Sequence, residues 1–172
     1  MKVLTKSRFK LGLECPNKLF YTGKEEYANT KITDPFLEAL AEGGFQVEEL
    51  ARMHYPGGEL LEGQDWDYEY LWKRTQKLLE QENVTIYEAA FLNDGLFIRT
   101  DVLVKTGNII ELIEVKAKSY DPSDKNIFVG KRGGLVSDWK PYLFDIAFQK
   151  YVMQLCYPDI KSRIGGDGIL LK

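Results

Sequence analysis

The clearest structural signal in the chain is the stretch GLFIRTDVLVKTGNIIELIEVKAK, residues 95–118. It contains two runs rich in Val, Ile and Leu, 95–105 and 108–118, on either side of a Thr-Gly-Asn turn, which is a hairpin signal. A third run of this kind, 85–91, precedes them across an Asn-Asp-Gly turn. The sequence therefore predicts three antiparallel strands that follow one another along the chain.

Helical patterns surround these strands on both sides. Apolar residues recur at helical spacing over 34–54 and 68–81, and the N-terminal segment predicts two short helices broken at Cys15-Pro16. After a loop-like stretch come a helix over 143–156 and a last strand, 167–171. We expect an α+β fold in which a small central sheet, a three-stranded antiparallel meander plus a C-terminal strand, is flanked by helices.

Size and composition fit one domain that spans residues 1–172. The apolar content of 44% is ample for a single core. The formal net charge is -3, so contacts with nucleic-acid phosphates have to come from a local basic patch rather than from a global positive field. Because the chain stops directly after an apolar strand, we expect it to be part of a longer protein.

The sequence predicts a protein of the cytoplasm without membrane contact. No stretch approaches the ~18 consecutive apolar residues of a membrane span, and the opening MKVLTKSRFK lacks the apolar core of a secretory signal. Cys15 and Cys156 are too few and too far apart for a zinc ligand set. We expect both cysteines to be reduced packing residues.

Two acidic residues stand among the apolar residues of the predicted hairpin. Glu114 shares a strand face with Lys116, and both faces carry apolar residues around it. An unpaired buried carboxylate is costly, so Glu114 requires either Lys116 or a metal ion nearby. Strand pairing can bring Asp101 close, and two adjacent carboxylates suit Mg²⁺ or Mn²⁺. The alternative is a surface ion pair between Glu114 and Lys116 on an edge strand, with Asp101 unrelated.

This arrangement resembles the PD-(D/E)XK phosphodiesterase superfamily and, within it, the RecB-like nucleases, over nearly the whole chain. Asp101 matches the metal aspartate of that family, Glu114-Val115-Lys116 matches its E-x-K motif, and Gln149 matches its glutamine motif. The family pattern usually has an aromatic residue four positions after this glutamine, where the present chain has Met153, and Tyr151 is the nearest substitute. The chain is also similar to the N-terminal nuclease-like region of an uncharacterised bacterial family.

The resemblance implies a restriction-endonuclease-like core and a DNA nuclease that depends on Mg²⁺ or Mn²⁺. In such an enzyme Asp101, Glu114 and the main-chain carbonyl of Val115 would hold the ion. Lys116 would orient the attacking water or steady the developing charge. Gln149 would position Lys116 or the phosphate.

A further acidic ligand is expected on the upstream helix of such enzymes. The segment GGFQVEELARMHYPGG, residues 43–58, is similar to theirs, and Glu49 is the first candidate, with Glu48 second. The alternative for either residue is a solvated charge on an amphipathic helix.

Basic residues that follow the E-x-K motif are candidates for nucleic-acid contacts. Lys118 lies just after the motif, and Lys131 and Arg132 lie in a Gly-rich connection whose backbone amides and cations would hold a phosphate. Tyr151 is a further candidate on the helix after this connection. A solvated loop is the alternative. We expect DNA as the substrate, and these residues do not distinguish it from RNA.

The segment SRFKLGLECPNKLFY, residues 7–21, also resembles the opening of RecB-like proteins, including CRISPR adaptation nucleases with a four-cysteine iron-sulfur cluster. Cys15 matches their first cluster cysteine, but Cys156 alone cannot supply the other ligands, so no cluster is expected. Two further interpretations stay open. One is a non-catalytic nucleic-acid-binding or assembly module with the nuclease fold, and the other is a nuclease domain that works inside a larger helicase-like or defence assembly.

Overall fold

Five helices and two small mixed sheets make up the part of the chain that the computed structural model describes, residues 3–27, 35–118, 121, 123 and 127–164. The predicted α+β class is confirmed. The expected single central sheet is wrong, because the strands divide between two sheets.

The helices lie close to the ranges that the sequence predicts. They are α1 (Lys6–Glu14), α2 (Pro16–Tyr21), α3 (Pro35–His54), α4 (Tyr68–Leu78) and α5 (Lys140–Cys156). The Thr5 hydroxyl caps α1 by accepting a hydrogen bond from the Arg8 N–H, and Pro16 opens α2 because proline is tolerated in a first helical turn. No helix in the described ranges is long and apolar enough to cross a lipid bilayer.

The strands form one five-stranded and one three-stranded sheet. They are β1 (Leu4–Thr5), β2 (Glu59–Leu60), β3 (Asn83–Tyr87), β4 (Ala90–Asn93), β5 (Leu96–Arg99), β6 (Val102–Thr106), β7 (Ile109–Ile113) and β8 (Lys161–Ile164). The larger sheet has the order β2-β3-β6-β7-β8 and the smaller one β1-β5-β4. The pairs β3-β6, β6-β7 and β4-β5 are antiparallel, while β1, β2 and β8 each join a neighbour in parallel.

A bend shared by two paired segments divides the predicted meander between the two sheets. β3 and β4 were expected as one strand but separate at Glu88, whose φ of 61° lies in the left-handed region. β5 and β6, also expected as one strand, separate at Thr100 and Asp101. Backbone pairing continues through the bend, since the Thr100 N–H donates to the Ala89 carbonyl at 2.9 Å and the Glu88 N–H donates to the Asp101 carbonyl at 3.2 Å. The bend places Asp101 where the larger sheet begins.

The last described strand comes earlier in the chain than the pattern indicates. β8 pairs in parallel with β7, with Ile109 opposite Lys161 and Leu112 opposite Ile164. Its sequence KSRI is mostly polar, so a search for apolar runs misses it. The predicted strand 167–171 lies outside the described residues.

Two hydrophobic clusters hold these elements together. The larger one contains side chains of α4, α5 and both sheets, and the smaller one packs Ala51 of α3 on the opposite face of the larger sheet. α1 joins the larger cluster through Phe9, whose ring stacks on that of Phe148 with the centroids 4.2 Å apart. This stack fixes α1 against α5. Cys15 and Cys156 are both free thiols, and Cys156 packs against the larger cluster.

The core assignment predicts a strong effect of truncation at Phe91. Its ring is fully buried and contacts Trp72 and Tyr157, so Phe91→Ala should lower the free energy of unfolding by about 3–5 kcal/mol. Phe45→Ala is the matched control, because that ring is 65% exposed, and it should change stability by about 0.5 kcal/mol. Urea denaturation measures both changes, and equal losses would contradict the assignment.

Candidate functional site

Asp101 and Glu114 meet at one end of the larger sheet. Asp101 directly precedes β6 and Glu114 directly follows β7, and the neighbouring residues Val102 and Ile113 are paired across these antiparallel strands. The Val115 N–H donates to Asp101 Oδ2 at 2.6 Å, so contact between the two segments continues beyond the ladder. The two carboxylates are therefore held side by side, as the predicted hairpin requires.

Lys6 lies between these two carboxylates. Its Nζ is 3.3 Å from Asp101 Oδ1, 3.3 Å from Glu114 Oε2 and 3.4 Å from Glu114 Oε1. Lys6 is the first residue of α1, and β1 directly before it is paired with β5, so the smaller sheet anchors the start of this helix. One ammonium group thus bridges both carboxylates.

Lys116 contacts the same pair. Its Nζ donates a hydrogen bond to Glu114 Oε1 and lies 3.9 Å from Asp101 Oδ2. Its side chain is 21% exposed, so the ammonium group is partly open to solvent. Glu114 itself is only 3% exposed, and β7 lies between β6 and β8, which excludes the alternative of a surface ion pair on an edge strand.

Two side chains one turn apart on α5, Asp145 and Gln149, complete the buried polar group. The Gln149 Nε2 donates to Glu114 Oε2 at 2.6 Å and to Asp145 Oδ1 at 3.4 Å. Asp145 is fully buried, and the Lys10 ammonium group of α1 donates to its Oδ2 at 3.2 Å. The structure therefore brings Gln149 to Glu114 and adds a second buried ion pair beside them.

Burial and opposite charges set the proton affinities in this cluster. Burial alone would lower the pKa of Lys6, but attraction by Asp101 and Glu114 outweighs it and raises that pKa above its ordinary value. Burial would raise the pKa of Glu114, but Lys6 and Lys116 outweigh it and lower the pKa to about 2. Burial raises the pKa of Asp101, although Lys6 opposes this. The neighbouring lysines therefore lower the pKa of Glu114 but do not prevent the rise in the pKa of Asp101.

Of the two glutamates proposed on α3, the structure places Glu48 near the pair. Glu48 is half-buried, and burial together with repulsion by Asp101 raises its pKa. The Glu49 side chain is 66% exposed and pairs with Arg52 at 2.8 Å, which is the arrangement of a solvated helix charge. Both glutamates line the cavity beside α3, so Glu49, the first candidate, and Glu48, the second, both stay candidates.

The four residues proposed for nucleic-acid contacts lie on the chain after the E-x-K motif. The Lys118 Nζ sits over the Trp139 ring, 4.7 Å from its centroid, which ties Lys118 to the start of α5. Lys131 and Arg132 are exposed in their loop, and Tyr151 is exposed on α5. They remain candidates for contacts with phosphates and bases.

The carboxylate pair suits a hard divalent cation, because its donors are oxygen atoms and because these atoms converge on one position. Oxygens of Asp101 and Glu114 already share one positive charge, the Lys6 ammonium group, and carboxylate and carbonyl oxygens are the ligands that Mg²⁺ and Mn²⁺ prefer. Within the described part of the chain, no three Asp, Glu, His or Cys side chains form a group that could hold a metal ion. A metal ion at this pair would therefore need the Val115 carbonyl or water as further ligands and would take the place of Lys6.

No protein-family model, no curated protein and no solved structure matches this chain. The resemblance to the PD-(D/E)XK superfamily therefore rests on the motif residues, and the restriction-endonuclease-like core stays a prediction. What the structure adds is that Asp101, Glu114, Lys116 and Gln149 belong to one hydrogen-bonded cluster.

Sequence reasoning missed three members of this cluster, namely Lys6, Lys10 and Asp145. A partial signal exists, because Lys6 and Lys10 are one helical turn apart, as are Asp145 and Gln149, and such spacing puts each pair on one helix face. The local sequence does not show which element each of these helix faces contacts. Lys6 contacts residues 95 and 108 positions away in the chain.

The cluster predicts that a fourth carboxylate, added on α5, would be poorly tolerated. Gln149→Glu removes the donor to Glu114 and places a negative charge against both Glu114 and Asp145, so it should lower the free energy of unfolding by about 3 kcal/mol or more. Gln154→Glu is the control, because Gln154 is exposed on the same helix, and its effect should stay near 0.5 kcal/mol. Urea denaturation at neutral pH compares them, and a Gln149→Glu variant as stable as the control would contradict the cluster.

Proposed function

We propose that this chain is a nuclease that uses Mg²⁺ or Mn²⁺ to hydrolyse phosphodiester bonds of DNA. The observation that carries the proposal is the sharing of one cation by Asp101 and Glu114, with Lys116 hydrogen-bonded to Glu114. Two converging carboxylates can hold a divalent cation, and a partly exposed ammonium group beside them can contact a phosphodiester substrate.

In this proposal, a role is assigned to each residue that matches the family motifs. Asp101, Glu114 and the Val115 carbonyl would hold the metal ion, which when bound supplies charge stabilisation to a phosphate and acidifies a water molecule. The Lys116 ammonium group is positioned to orient the attacking water or to offset negative charge on the phosphate. Gln149, through its hydrogen bond to Oε2, fixes the orientation of Glu114.

A cavity of about 500 Å³ lies beside α3. Glu48 and Glu88 line it, and the Glu88 N–H donates to the Asp101 carbonyl at 3.2 Å, so one wall of the cavity adjoins the backbone of Asp101. Arg52 and Arg99 line the same cavity, where Arg52 pairs with Glu49 and Arg99 pairs with Asp65 and Glu88. Guanidinium groups suit phosphate oxygens, and a phosphate there would compete with these carboxylates. We propose that the substrate backbone approaches Asp101 through this cavity.

The proposal predicts that Lys116→Ala nearly abolishes cleavage. Loss of this charge at the reacting phosphate should reduce the rate by about 100-fold or more. The measurement is the rate of cleavage of single- and double-stranded DNA with Mg²⁺ or Mn²⁺.

Lys105→Ala serves as the matched control for that measurement. Lys105 is a lysine of β6 that donates to the Gln81 carbonyl, outside the cluster, so its loss should leave the rate unchanged. The assignment is wrong if Lys116→Ala cleaves DNA as fast as the wild type while circular dichroism shows both variants folded.

A non-catalytic nucleic-acid-binding or assembly module is the second candidate, and one observation favours it. Lys6 and Lys116 together place two positive charges against the two carboxylates, so the fold does not require a metal ion for charge balance. In this reading Lys131 and Arg132 would contact phosphates, and the cluster would serve stability alone. A nuclease domain inside a larger helicase-like or defence assembly would instead bind the metal ion and cut slowly until its partner is added.

Metal binding separates a nuclease from the non-catalytic module. If the chain is a nuclease, calorimetry with MnCl₂ should show saturable binding that Asp101→Asn abolishes, because the amide keeps an acceptor for the Val115 N–H but removes the charge. Asp138→Asn, the loss of an equal charge at an exposed position, should leave the binding intact. Absence of saturable binding to the wild type would support the module.

A further inference from the structure

The position of Lys6 raises the question of what happens to this side chain when a divalent cation binds. Its ammonium group contacts one oxygen of Asp101 and both oxygens of Glu114, all at 3.3–3.4 Å. These lengths exceed the ~2.7–2.9 Å of a strong charge-assisted hydrogen bond. Lys6 is thus held by the summed attraction of two carboxylates rather than by one short bond.

The remaining contacts of the pair are shorter and come from the scaffold. Asp101 Oδ2 accepts from the Val115 N–H at 2.6 Å, and Glu114 Oε2 accepts from Gln149 at 2.6 Å. These donors belong to the backbone after β7 and to a buried side chain of α5, so they stay in place when a cation changes. Lys6 and Lys116 both contact the two carboxylates, but Lys116 is hydrogen-bonded to Glu114, whereas all the contacts of Lys6 are 3.3–3.4 Å long.

Lys6 is not fully enclosed by the cluster. Its side chain is 22% exposed and carries the ammonium group on a flexible four-carbon stem. Lys10, one turn further along the same helix, is engaged differently, because it pairs with the fully buried Asp145. The helix therefore carries two lysines, of which only Lys6 occupies the space between the carboxylate pair.

We propose that Lys6 is a tethered competitor of the divalent cation: its ammonium group holds Asp101 and Glu114 together until a metal ion displaces it, and it thereby sets the metal affinity of the site. This inference rests on the proposed function, since it concerns the same metal site. Without Lys6, two buried carboxylates would repel each other with only Lys116 between them. With Lys6, a metal ion binds by exchange of one cation for another.

The test compares MnCl₂ binding by calorimetry in the wild type, Lys6→Met and Lys105→Met. Methionine keeps an unbranched stem but removes the charge, so Lys6→Met should bind Mn²⁺ at least about ten-fold more tightly than the wild type. Lys105→Met loses the same charge outside the cluster, four residues along the chain from Asp101 on β6, and should change the affinity by less than about three-fold, because exposed charges more than about 10 Å apart are largely screened. Unchanged, weaker or absent binding to Lys6→Met overturns the inference, and so does an equal gain in Lys105→Met.

A second measurement uses the wild type and so does not depend on the folding of a variant. Lysine acetylation is followed by mass spectrometry with and without saturating MnCl₂. Displacement predicts that Lys6 becomes acetylated several-fold faster when Mn²⁺ is present, whereas Lys10 reacts at the same rate in both conditions. A Lys6 rate that Mn²⁺ leaves unchanged or lowers overturns the inference.

Neither arm uses cleavage as its readout, so the two proposals can fail separately. Tighter Mn²⁺ binding by Lys6→Met, in a protein that cuts no DNA, supports the exchange and rejects the nuclease. DNA cleavage by the wild type, together with an unchanged Mn²⁺ affinity in Lys6→Met, supports the nuclease and rejects the exchange.

Discussion

The burial of two carboxylates side by side is the constraint on which the rest of this structure depends. Asp101 and Glu114 lie close enough to share a cation in a place where water cannot neutralise them, and uncompensated buried charges cost several kcal/mol each. The compensation comes from Lys6 of α1, Lys116 of the segment after β7 and Gln149 of α5. Correct placement of three separate elements is therefore coupled to one electrostatic requirement.

The bend at Glu88 and Asp101 is what makes this coupling feasible. Because the hairpin turns at this point, β5 pairs with β1 in the smaller sheet while β6 and β7 stay in the larger one. Lys6 then begins its helix directly over the end of the β6-β7 pair, where its side chain reaches both acids.

The sequence predicts the parts of this arrangement that depend on local pattern. Turn residues and strand alternation place Asp101 opposite Glu114, and an apolar helical run predicts α5. Gln149 is identified only by its resemblance to the glutamine motif. Lys6 and Asp145 could not be found in this way, since a lysine in a polar first turn and an aspartate in a helix look solvated until the facing element is known. Glu48 and Glu49 differ by about 100° of helix rotation, and apolar periodicity alone does not decide which of them lies nearer Asp101.

The presence of Lys6 changes what a metal ion has to do at this site. A divalent ion entering an empty acidic pocket gains the full attraction of both carboxylates and relieves their repulsion. Here Lys6 already relieves the repulsion. The free energy gained by the metal ion is therefore only the difference between its interaction with the carboxylates and that of the ammonium group at the same place. The cost of removing water from the ion reduces this gain further. Under the proposed exchange, Lys6 would stabilise the fold without metal and would also weaken metal binding. Its loss would therefore change fold stability and metal affinity in opposite directions.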